Sequence, residues 1–156
     1  QKFISRAKEA GIDGLILPDM AIEESKDYVK AARKSGMDTI FLVSPNTQND
    51  RLKKIIKATS GFLYMVAVFG TTGVQTKIHK YTIDALKNTK RSANGKIPVG
   101  VGFGISTDKD VRKYVSSGAD AVIVGSANIK IMENTPVNKI ESKIFTFTKK
   151  LKNKTR

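Results

Sequence analysis

The sequence predicts an α/β protein built from repeated βα units, and three observations lead to this prediction. Short apolar runs occur that are nearly continuous, as expected of parallel strands buried on both faces. Amphipathic, charged stretches separate these runs, with a repeat of about 25–30 residues that is typical of βα units. A glycine follows several of the charged stretches shortly before the next apolar run, where helices commonly end.

Five strands follow from the apolar runs. They lie at residues 14–18, 39–43, 62–66, 98–102 and 121–124.

Helices are predicted between the strands, because apolar residues recur there at helical spacing. The predicted helices cover residues 3–10, 23–35, 49–59, 78–89, 107–117 and 140–151, with a short helical stretch at 128–131. Thr107 is the expected N-cap of its helix, with Asp108 and Asp110 in the first turn, where the helix dipole favours acids. Glycines end four of these helices, at Gly11, Gly36, Gly61 and Gly118.

The number of strands leaves two architectures open. Right-handed βαβ units build either a doubly wound sheet or a (β/α)8 barrel. A barrel needs eight strands and about 250 residues, whereas this sequence has 156 residues and five predicted strands, begins with Gln1 rather than Met, and starts with a predicted helix. The chain is therefore either a five-stranded doubly wound domain or the C-terminal part of a barrel whose first three βα units are absent.

Composition excludes several classes of protein. The 156 residues are 40% hydrophobic, which is enough for a core, yet no apolar run approaches the length of a membrane span. No signal peptide is recognisable. The absence of cysteine excludes a disulfide scaffold, a Cys-ligated zinc site and a thiol nucleophile. A cytoplasmic location is compatible with this composition.

The net charge of +14 is unevenly distributed. Residues 1–76 carry 11 basic and 8 acidic side chains, whereas residues 77–156 carry 17 and 6. A basic patch can bind nucleic acid. However, 22 of the 28 basic residues are lysine and no aromatic-interleaved motif accompanies them, which favours solvated helix faces over nucleic-acid binding.

Glycine-containing turns follow the last three predicted strands. They comprise residues 68–73, 102–106 and 125–127, the last of which opens the short helical stretch. Glycine lets the backbone approach a ligand closely, and free N–H groups at a helix N-terminus bind anions. In barrels, the phosphate site commonly follows strands seven and eight and includes a short extra helix. The last two turns match that description if the fourth and fifth strands here are barrel strands seven and eight.

Several phrases resemble the tryptophan synthase alpha chain family in order and spacing along essentially the whole sequence. They are AGIDGLILPD (10–19), SPNT (44–47), GFLYMV (61–66), FGTTG (69–73), VGFGIS (101–106) and GSA (125–127). The FGTTG form is more similar to archaeal members than to enteric ones.

This resemblance implies a fold and an activity. The family forms a (β/α)8 barrel that cleaves indole-3-glycerol phosphate to indole and glyceraldehyde 3-phosphate by a retro-aldol step. The resemblance implies no cofactor for this chain. Its implied partner is a beta subunit that carries pyridoxal phosphate, in a heterotetramer of two alpha and two beta subunits. We accordingly expect residues 1–156 to be the C-terminal portion of a single barrel domain, with strands four to eight of the barrel.

The acid/base pair of the family has no match in this sequence. The family uses a glutamate and an aspartate from the first half of its barrel, and the acidic stretch on strand two is not found here. We therefore expect the chain on its own to be inactive in indole release. We also expect it to be poorly soluble, because an opened barrel exposes sheet edges and apolar faces.

The remaining matches concern binding of the substrate. By resemblance, the backbone N–H groups of Gly73, Gly104, Gly125 and Ser126 bind the phosphate, and Phe103 packs near the indole. Tyr64 lies close to the reacting centre as an auxiliary residue.

Two further matches concern closure of the site. Asp19 supports catalysis and its coupling to closure. Thr72 helps a mobile loop to close the site against water.

Two positions stand apart from this pattern. The family often has a proline where this chain has Ala21, which affects the expected contact with the beta subunit. His79 is the only histidine and is expected at the surface, and no carboxylate cluster has the spacing of a metal site.

Two alternatives to the alpha chain remain: another phosphate-binding barrel lyase or isomerase, and a non-enzymatic basic module that binds nucleic acid.

Overall fold

The computed structural model describes residues 2–67 and 78–155, and it contains parallel strands alternating with helices. The strands are β1 (Gly14–Ile16), β2 (Asp38–Ile40), β3 (Leu42–Val43), β4 (Leu63–Val66), β5 (Val99–Gly102) and β6 (Ala121–Ile123). The helices are α1 (Lys2–Glu9), α2 (Lys26–Lys34), α3 (Asn49–Ala58), α4 (Lys80–Ala93), α5 (Asp108–Ser116), α6 (Ser126–Glu133) and α7 (Ile140–Lys152). Single 3₁₀ turns cover Ile22–Glu24 and Val137–Lys139.

The five predicted strands are confirmed, with one division. The second predicted strand is interrupted at Phe41, so that β2 pairs with β1 and β3 pairs with β4. The ladder continues across the break, because the Tyr64 N–H donates to the Phe41 carbonyl oxygen at 2.9 Å. The Asp38 N–H likewise donates to the Asp13 carbonyl oxygen at 2.8 Å. The two short sheets are thus joined through one extended segment.

Strand order decides between the two architectures. Each strand pairs in parallel with the strand nearest to it in the sequence, from β1 through β2, and from β3 through β4 and β5 to β6. A doubly wound sheet reverses its order at a switch point, and no reversal occurs among the described strands. Consecutive order is the order of a (β/α)8 barrel, so the barrel prediction is confirmed and the doubly wound alternative is wrong.

One face of the sheet carries the core. Leu63 and Met65 of β4 and Val99 and Val101 of β5 are fully buried, and they pack in one cluster with residues of the surrounding helices. The helical members include Leu52 of α3, Leu86 of α4, Val111 of α5 and Leu151 of α7.

The opposite face of the sheet holds the alternate side chains. A Cβ added to Gly100 would lie 3.2 Å from Phe62 and 3.3 Å from Ile123, so these three residues share that face. In a barrel this face is the interior.

Helix ends follow the predicted signals at most positions. Thr107 caps α5 in a capping box, accepting from the Asp110 N–H while the Asp110 side chain accepts from the Thr107 N–H. Gly36 and Gly118 follow their helices with φ of 62° and 103°, which a residue with a side chain rarely adopts. Gly61 was wrongly assigned to this role. Helix α3 ends at Ala58, and its C-cap Thr59 is already extended. Gly61 instead lies in a tight contact, because a Cβ added to it would be 3.1 Å from the Asp38 Cβ.

An aspartate two residues after a glycine recurs at the start of β2 and just before β6, and it anchors neighbouring backbone. The Asp120 carboxylate accepts from the Val99 N–H and from Lys90 Nζ, both at 2.6 Å. Burial of Asp120 acts to raise the pKa of its carboxyl, but these hydrogen bonds outweigh burial and lower that pKa. The Asp38 carboxylate accepts from Ser60 Oγ at 2.9 Å. This edge of the sheet, where the strands begin, is thus held together by carboxylates.

Candidate functional site

The predicted site residues lie along the edge where the strands end. Tyr64 is on β4, Phe103 and Gly104 directly follow β5, and Gly125 and Ser126 open α6 after β6. Because the strands are parallel, their carboxyl ends meet at one edge of the sheet. Asp19 lies beyond the end of β1 at the same edge. Thr72 and Gly73 lie outside the described residues.

Tyr64 and Phe103 are in direct contact. Their ring centroids are 6.0 Å apart and meet edge to face, and Phe62 lies 6.3 Å from Tyr64 on its other side. This geometry is favourable for aromatic pairs. Burial raises the pKa of the Tyr64 phenol above its usual value. At neutral pH Tyr64 is therefore a neutral hydrogen-bond donor and is unsuited to act as a base.

The position of Tyr64 depends on Gly102. A Cβ added to Gly102 would overlap the phenol ring, coming within 2.6 Å of Tyr64 Cζ, and it would also meet the hydroxyl oxygen. Real Cβ atoms do not make such contacts, so only glycine leaves room for the ring. The sequence interpretation did not include Gly102 in the site. The available signal was the alternation of Gly100 and Gly102, which puts both on the face that carries Tyr64.

Phe103 is held in an unusual backbone conformation. Its φ is 72°, followed by the same φ at Gly104, and its side chain is 57% exposed. A positive φ costs about 1–3 kcal/mol at a residue other than glycine. Such strain is concentrated at ligand-binding sites, and here it holds an apolar ring at the open edge beside Tyr64.

The N-terminus of α6 follows β6, which is the strand paired with β5. Gly102 is paired with Ile123 in the β5–β6 ladder. Gly104 lies two residues after Gly102, and Gly125 lies two residues after Ile123, so both glycines occupy equivalent positions after adjacent strands. Gly125 is the N-cap of α6, and no side chain caps the helix there. The first N–H groups of a helix have no partner within it, and the helix dipole favours an anion at this end.

Asn128 ties α6 to the preceding strand. Its Nδ2 donates to the Val124 carbonyl oxygen at 3.1 Å, and its backbone N–H donates to the Gly125 carbonyl oxygen at 2.9 Å. These bonds set the direction of the first turn of α6. The sequence interpretation did not single out Asn128, because an asparagine inside a helix carries no distinctive pattern.

Asp19 occupies a separate part of the edge. It is exposed and lines a cleft of about 340 Å³ with Ala21, Ser44 and Arg51 among others. No described contact joins Asp19 to Tyr64 or Phe103. Ala21 has φ −67° and ψ 140° and precedes the 3₁₀ turn at Ile22–Glu24.

His79 is exposed, as predicted, and precedes α4 with its ring stacked on Tyr81 at 5.3 Å. Within residues 2–67 and 78–155, no cluster of three histidine, cysteine or carboxylate side chains is positioned to hold a metal ion. No helix in the same part of the chain has both the length and the apolar character needed to span a membrane.

The strands are parallel and in consecutive order, and the candidate site lies along the edge where they end. These two features define the class of βα-barrel proteins. The tryptophan synthase alpha chain family model matches residues 1–156. The chain belongs to the tryptophan synthase alpha chain family.

Relatives in archaea show the same similarity. The tryptophan synthase alpha chain of Pyrococcus abyssi is 40% identical over 132 residues, which are 85% of this chain and 52% of the relative. That of Methanosarcina acetivorans is 41% identical over 151 residues, which are 97% of this chain and 53% of the relative. The chain thus spans about half the length of the curated relatives it matches.

Solved structures agree with the sequence relatives. A structure of the tryptophan synthase α2β2 complex from the hyperthermophile Pyrococcus furiosus matches with a TM-score of 0.86 at 35% identity. The match covers 97% of this chain and 60% of that chain. The prediction of an archaeal-like member of this family is confirmed, and the alternatives of another phosphate-binding barrel and of a nucleic-acid-binding module are not favoured.

Proposed function

We propose that this chain supplies the substrate-holding part of a tryptophan synthase alpha subunit, which cleaves indole-3-glycerol phosphate to indole and glyceraldehyde 3-phosphate. The observation that carries the proposal is the Tyr64–Phe103 aromatic pair at the same edge of the sheet as the uncapped N-terminus of α6, which follows the strand paired with β5. The pair suits a flat aromatic group, and the helix terminus suits an anion. The substrate carries both.

The phosphate is bound by backbone N–H groups in this proposal. Gly104 follows β5, and Gly125 and Ser126 begin α6, so their N–H groups lie at one edge of the sheet. Gly73 and Thr72 complete the phosphate and loop contacts by family resemblance and lie outside the described residues. Backbone donors at a helix N-terminus bind phosphate without any basic side chain.

The indole ring is held by Phe103, with Tyr64 close to the reacting carbon. In the retro-aldol step, an acid protonates the indole ring at C3 and a base takes the proton of the glycerol hydroxyl. The bond between the ring and the glycerol carbon then breaks, and the hydroxyl oxygen becomes that of the aldehyde. Because the pKa of Tyr64 is raised, Tyr64 supports this step as a neutral donor, and Asp19 supports closure.

The proposed reaction needs no cofactor on this chain. Pyridoxal phosphate belongs to the beta subunit, with which we infer a heterotetramer of two alpha and two beta subunits. The similarity to an α2β2 complex from Pyrococcus furiosus supports this partner. We also assign the chain to the cytoplasm. Residues 1–156 are assigned to one barrel domain, since the main core from Phe41 to Leu151 and the smaller cluster of Ile4, Ala32 and Met37 both pack against Tyr28.

A chimeric barrel tests the proposed function. The part of the Pyrococcus furiosus alpha subunit that this chain does not match is fused ahead of residues 1–156, and indole release from indole-3-glycerol phosphate is measured. We expect release that is stimulated by the beta subunit. A chimera that folds, as judged by circular dichroism, but releases no indole would contradict the proposal.

Ser126 offers a matched pair of variants in the same chimera. Ser126→Asp keeps α6, because an acid is favourable at a helix N-terminus, yet its charge repels the phosphate. We expect KM to rise about tenfold or more, since like charges in a binding site cost at least about 1.4 kcal/mol. Ser126→Ala retains the N–H and should change KM less than about threefold. Equal KM values for the two variants would show that the phosphate binds elsewhere.

A further inference from the structure

A groove on the outer surface, away from the candidate site, lies between α2 and α3. It has a volume of about 620 Å³, and its apolar floor includes Ile22, Val29 and Ala58, all half-buried. The inner sides of these apolar residues pack against the core, and their outer sides leave a strip open to solvent. The groove is therefore an apolar surface between two helices.

The rims of the groove are strongly basic. Lys26, Lys30 and Arg33 line one rim, and Lys54 and Lys57 line the other. Five of the 11 basic residues in the first 76 positions thus meet here, although this half of the chain carries 8 acids and is nearly balanced. Within residues 1–76, the basic side chains are therefore concentrated at the groove.

The acid at the groove does not neutralise these cations. Glu23 forms an ion pair with Arg51 at 2.6 Å, and Arg51 does not line the groove. Among residues 2–67 and 78–155, Lys26, Lys30, Lys54 and Lys57 form no ion pair within 4.0 Å. An anionic partner would thus find these lysines available.

The two ends of the groove are clamped. At one end the Glu23–Arg51 pair joins the 3₁₀ turn to α3, and at the other end Arg33 Nη2 donates to the Lys57 carbonyl oxygen at 2.8 Å. Residues 26 and 33 lie about 10 Å apart along α2, since a helix rises 1.5 Å per residue. The groove is held open over the length of about two helical turns.

We propose that this groove binds an acidic amphipathic helix of a partner protein. The apolar floor takes a stripe of apolar side chains at i, i+3 or i+4, and i+7, and acidic residues on both flanks of that stripe meet the lysines of the two rims. A nucleic acid would match the charge but would leave the apolar floor against a phosphate backbone. The partner chemistry is thus defined by both features together, and it is independent of the activity proposed above.

A peptide-binding measurement on the full chain tests this proposal. The chain is captured at low density on a biosensor through a C-terminal tag, so that exposed sheet edges cannot associate. The probe is a 16-residue peptide of leucine, glutamate and alanine with one leucine stripe. Its control has the same composition with the leucines spread around the helix. We expect saturable binding of the patterned peptide and at least about tenfold weaker binding of the control.

Charge-reversal variants locate the binding surface. Lys30→Glu with Lys54→Glu changes one residue on each rim, and we expect Kd for the patterned peptide to rise about tenfold or more. Lys80→Glu with Lys87→Glu makes the same change in net charge on exposed positions of α4, and Kd should change less than about threefold.

Three outcomes would overturn the proposal. They are the absence of saturable binding, equal loss in both double variants, and equal binding of the scrambled peptide or of a 20-nucleotide single-stranded DNA. The last outcome would show attraction of any polyanion rather than recognition of a helix. None of these outcomes bears on indole release, because the groove shares no residue with the candidate site.

Discussion

At the scale of single residues, the site depends on space as much as on chemistry. Tyr64 and Phe103 touch only because Gly102 has no side chain and because Phe103 adopts a positive φ. The aromatic pair is therefore sensitive to small changes in its neighbours.

We expect Gly102→Ala to displace the Tyr64 ring and to lower the free energy of unfolding by about 1–3 kcal/mol, the usual range for overpacking. Gly100→Ala is the control, since its Cβ would come no closer than 3.2 Å to Phe62. Urea unfolding compares the two variants. A smaller loss for Gly102→Ala than for Gly100→Ala would show that the Tyr64 ring moves at little cost.

Ala21 is compatible with proline. Its φ of −67° matches the value that a proline ring imposes, and its N–H donates no backbone hydrogen bond among the described residues. Ala21→Pro should stabilise the chain by about 0.4–1 kcal/mol through the unfolded state. The midpoint of urea unfolding measures this change in stability. We expect the midpoint of Ala21→Gly to be lower than that of the parent chain. A lower midpoint for Ala21→Pro would be inconsistent with the backbone geometry.

Tyr114 makes stability depend on alkaline pH. Burial, with contributions from Asp110 and Tyr81, raises its pKa from 10.0 to about 12. Below pH 10 the phenol is protonated in both the folded and the unfolded state, so the free energy of unfolding does not depend on its titration there. Between pH 10 and 12 only the unfolded state loses the proton, and stability falls. Tyr114→Phe should lose less stability over this interval than the parent, and equal losses would contradict the assigned cause.

At the scale of elements, helix ends are predicted correctly where the residues that form the cap are close together in the chain. The capping box of α5 needs only Thr107 and Asp110, three residues apart. Gly61 shows the limit of such signals, because its tight contact with Asp38 comes from a distant strand.

Removal of the α5 cap gives an element-scale prediction. Thr107→Ala leaves the Asp110 N–H without its acceptor, and we expect a loss of about 1 kcal/mol in the free energy of unfolding. Thr107→Ser keeps the hydroxyl and should lose less than half as much. Thermal unfolding measures both, and equal values would show that the capping hydrogen bond contributes nothing.

At the scale of the whole molecule, the open sheet face and open edges matter for the 156-residue polypeptide when it is tested by itself. Strands β1 and β6 lie at the ends of the order, and Ile16 is 43% exposed. The barrel interior is thus accessible, which favours association of exposed strands.

We expect the 156-residue polypeptide, tested by itself, to release no indole from indole-3-glycerol phosphate, because the acid/base pair of the family has no match in it. The chimeric barrel described above is the positive control for the assay. Indole release by the 156-residue chain at a rate comparable to the chimera would contradict this expectation and would show that its own residues supply the acid and the base.

Much of the candidate site was accessible to sequence reasoning. Tyr64, Phe103, Gly104, Gly125 and Ser126 are all found at the predicted edge, since glycine turns after apolar runs mark where parallel strands end. Their roles in binding remain predictions. The contact between Gly102 and Tyr64 was not foreseen, because the two residues belong to different strands and no local pattern records which side chains face each other.

Sequence patterns predict most of the strands and helices, the cap at Thr107 and the family, because each of these signals lies in residues that are near one another in the chain. The tertiary structure alone decided the consecutive order of the strands, the break at Phe41, the space that Gly102 leaves for Tyr64 and the basic groove between α2 and α3. These features arise from contacts between segments far apart in the sequence. Such contacts are set by packing and hydrogen bonding across the sheet, which periodicity does not encode.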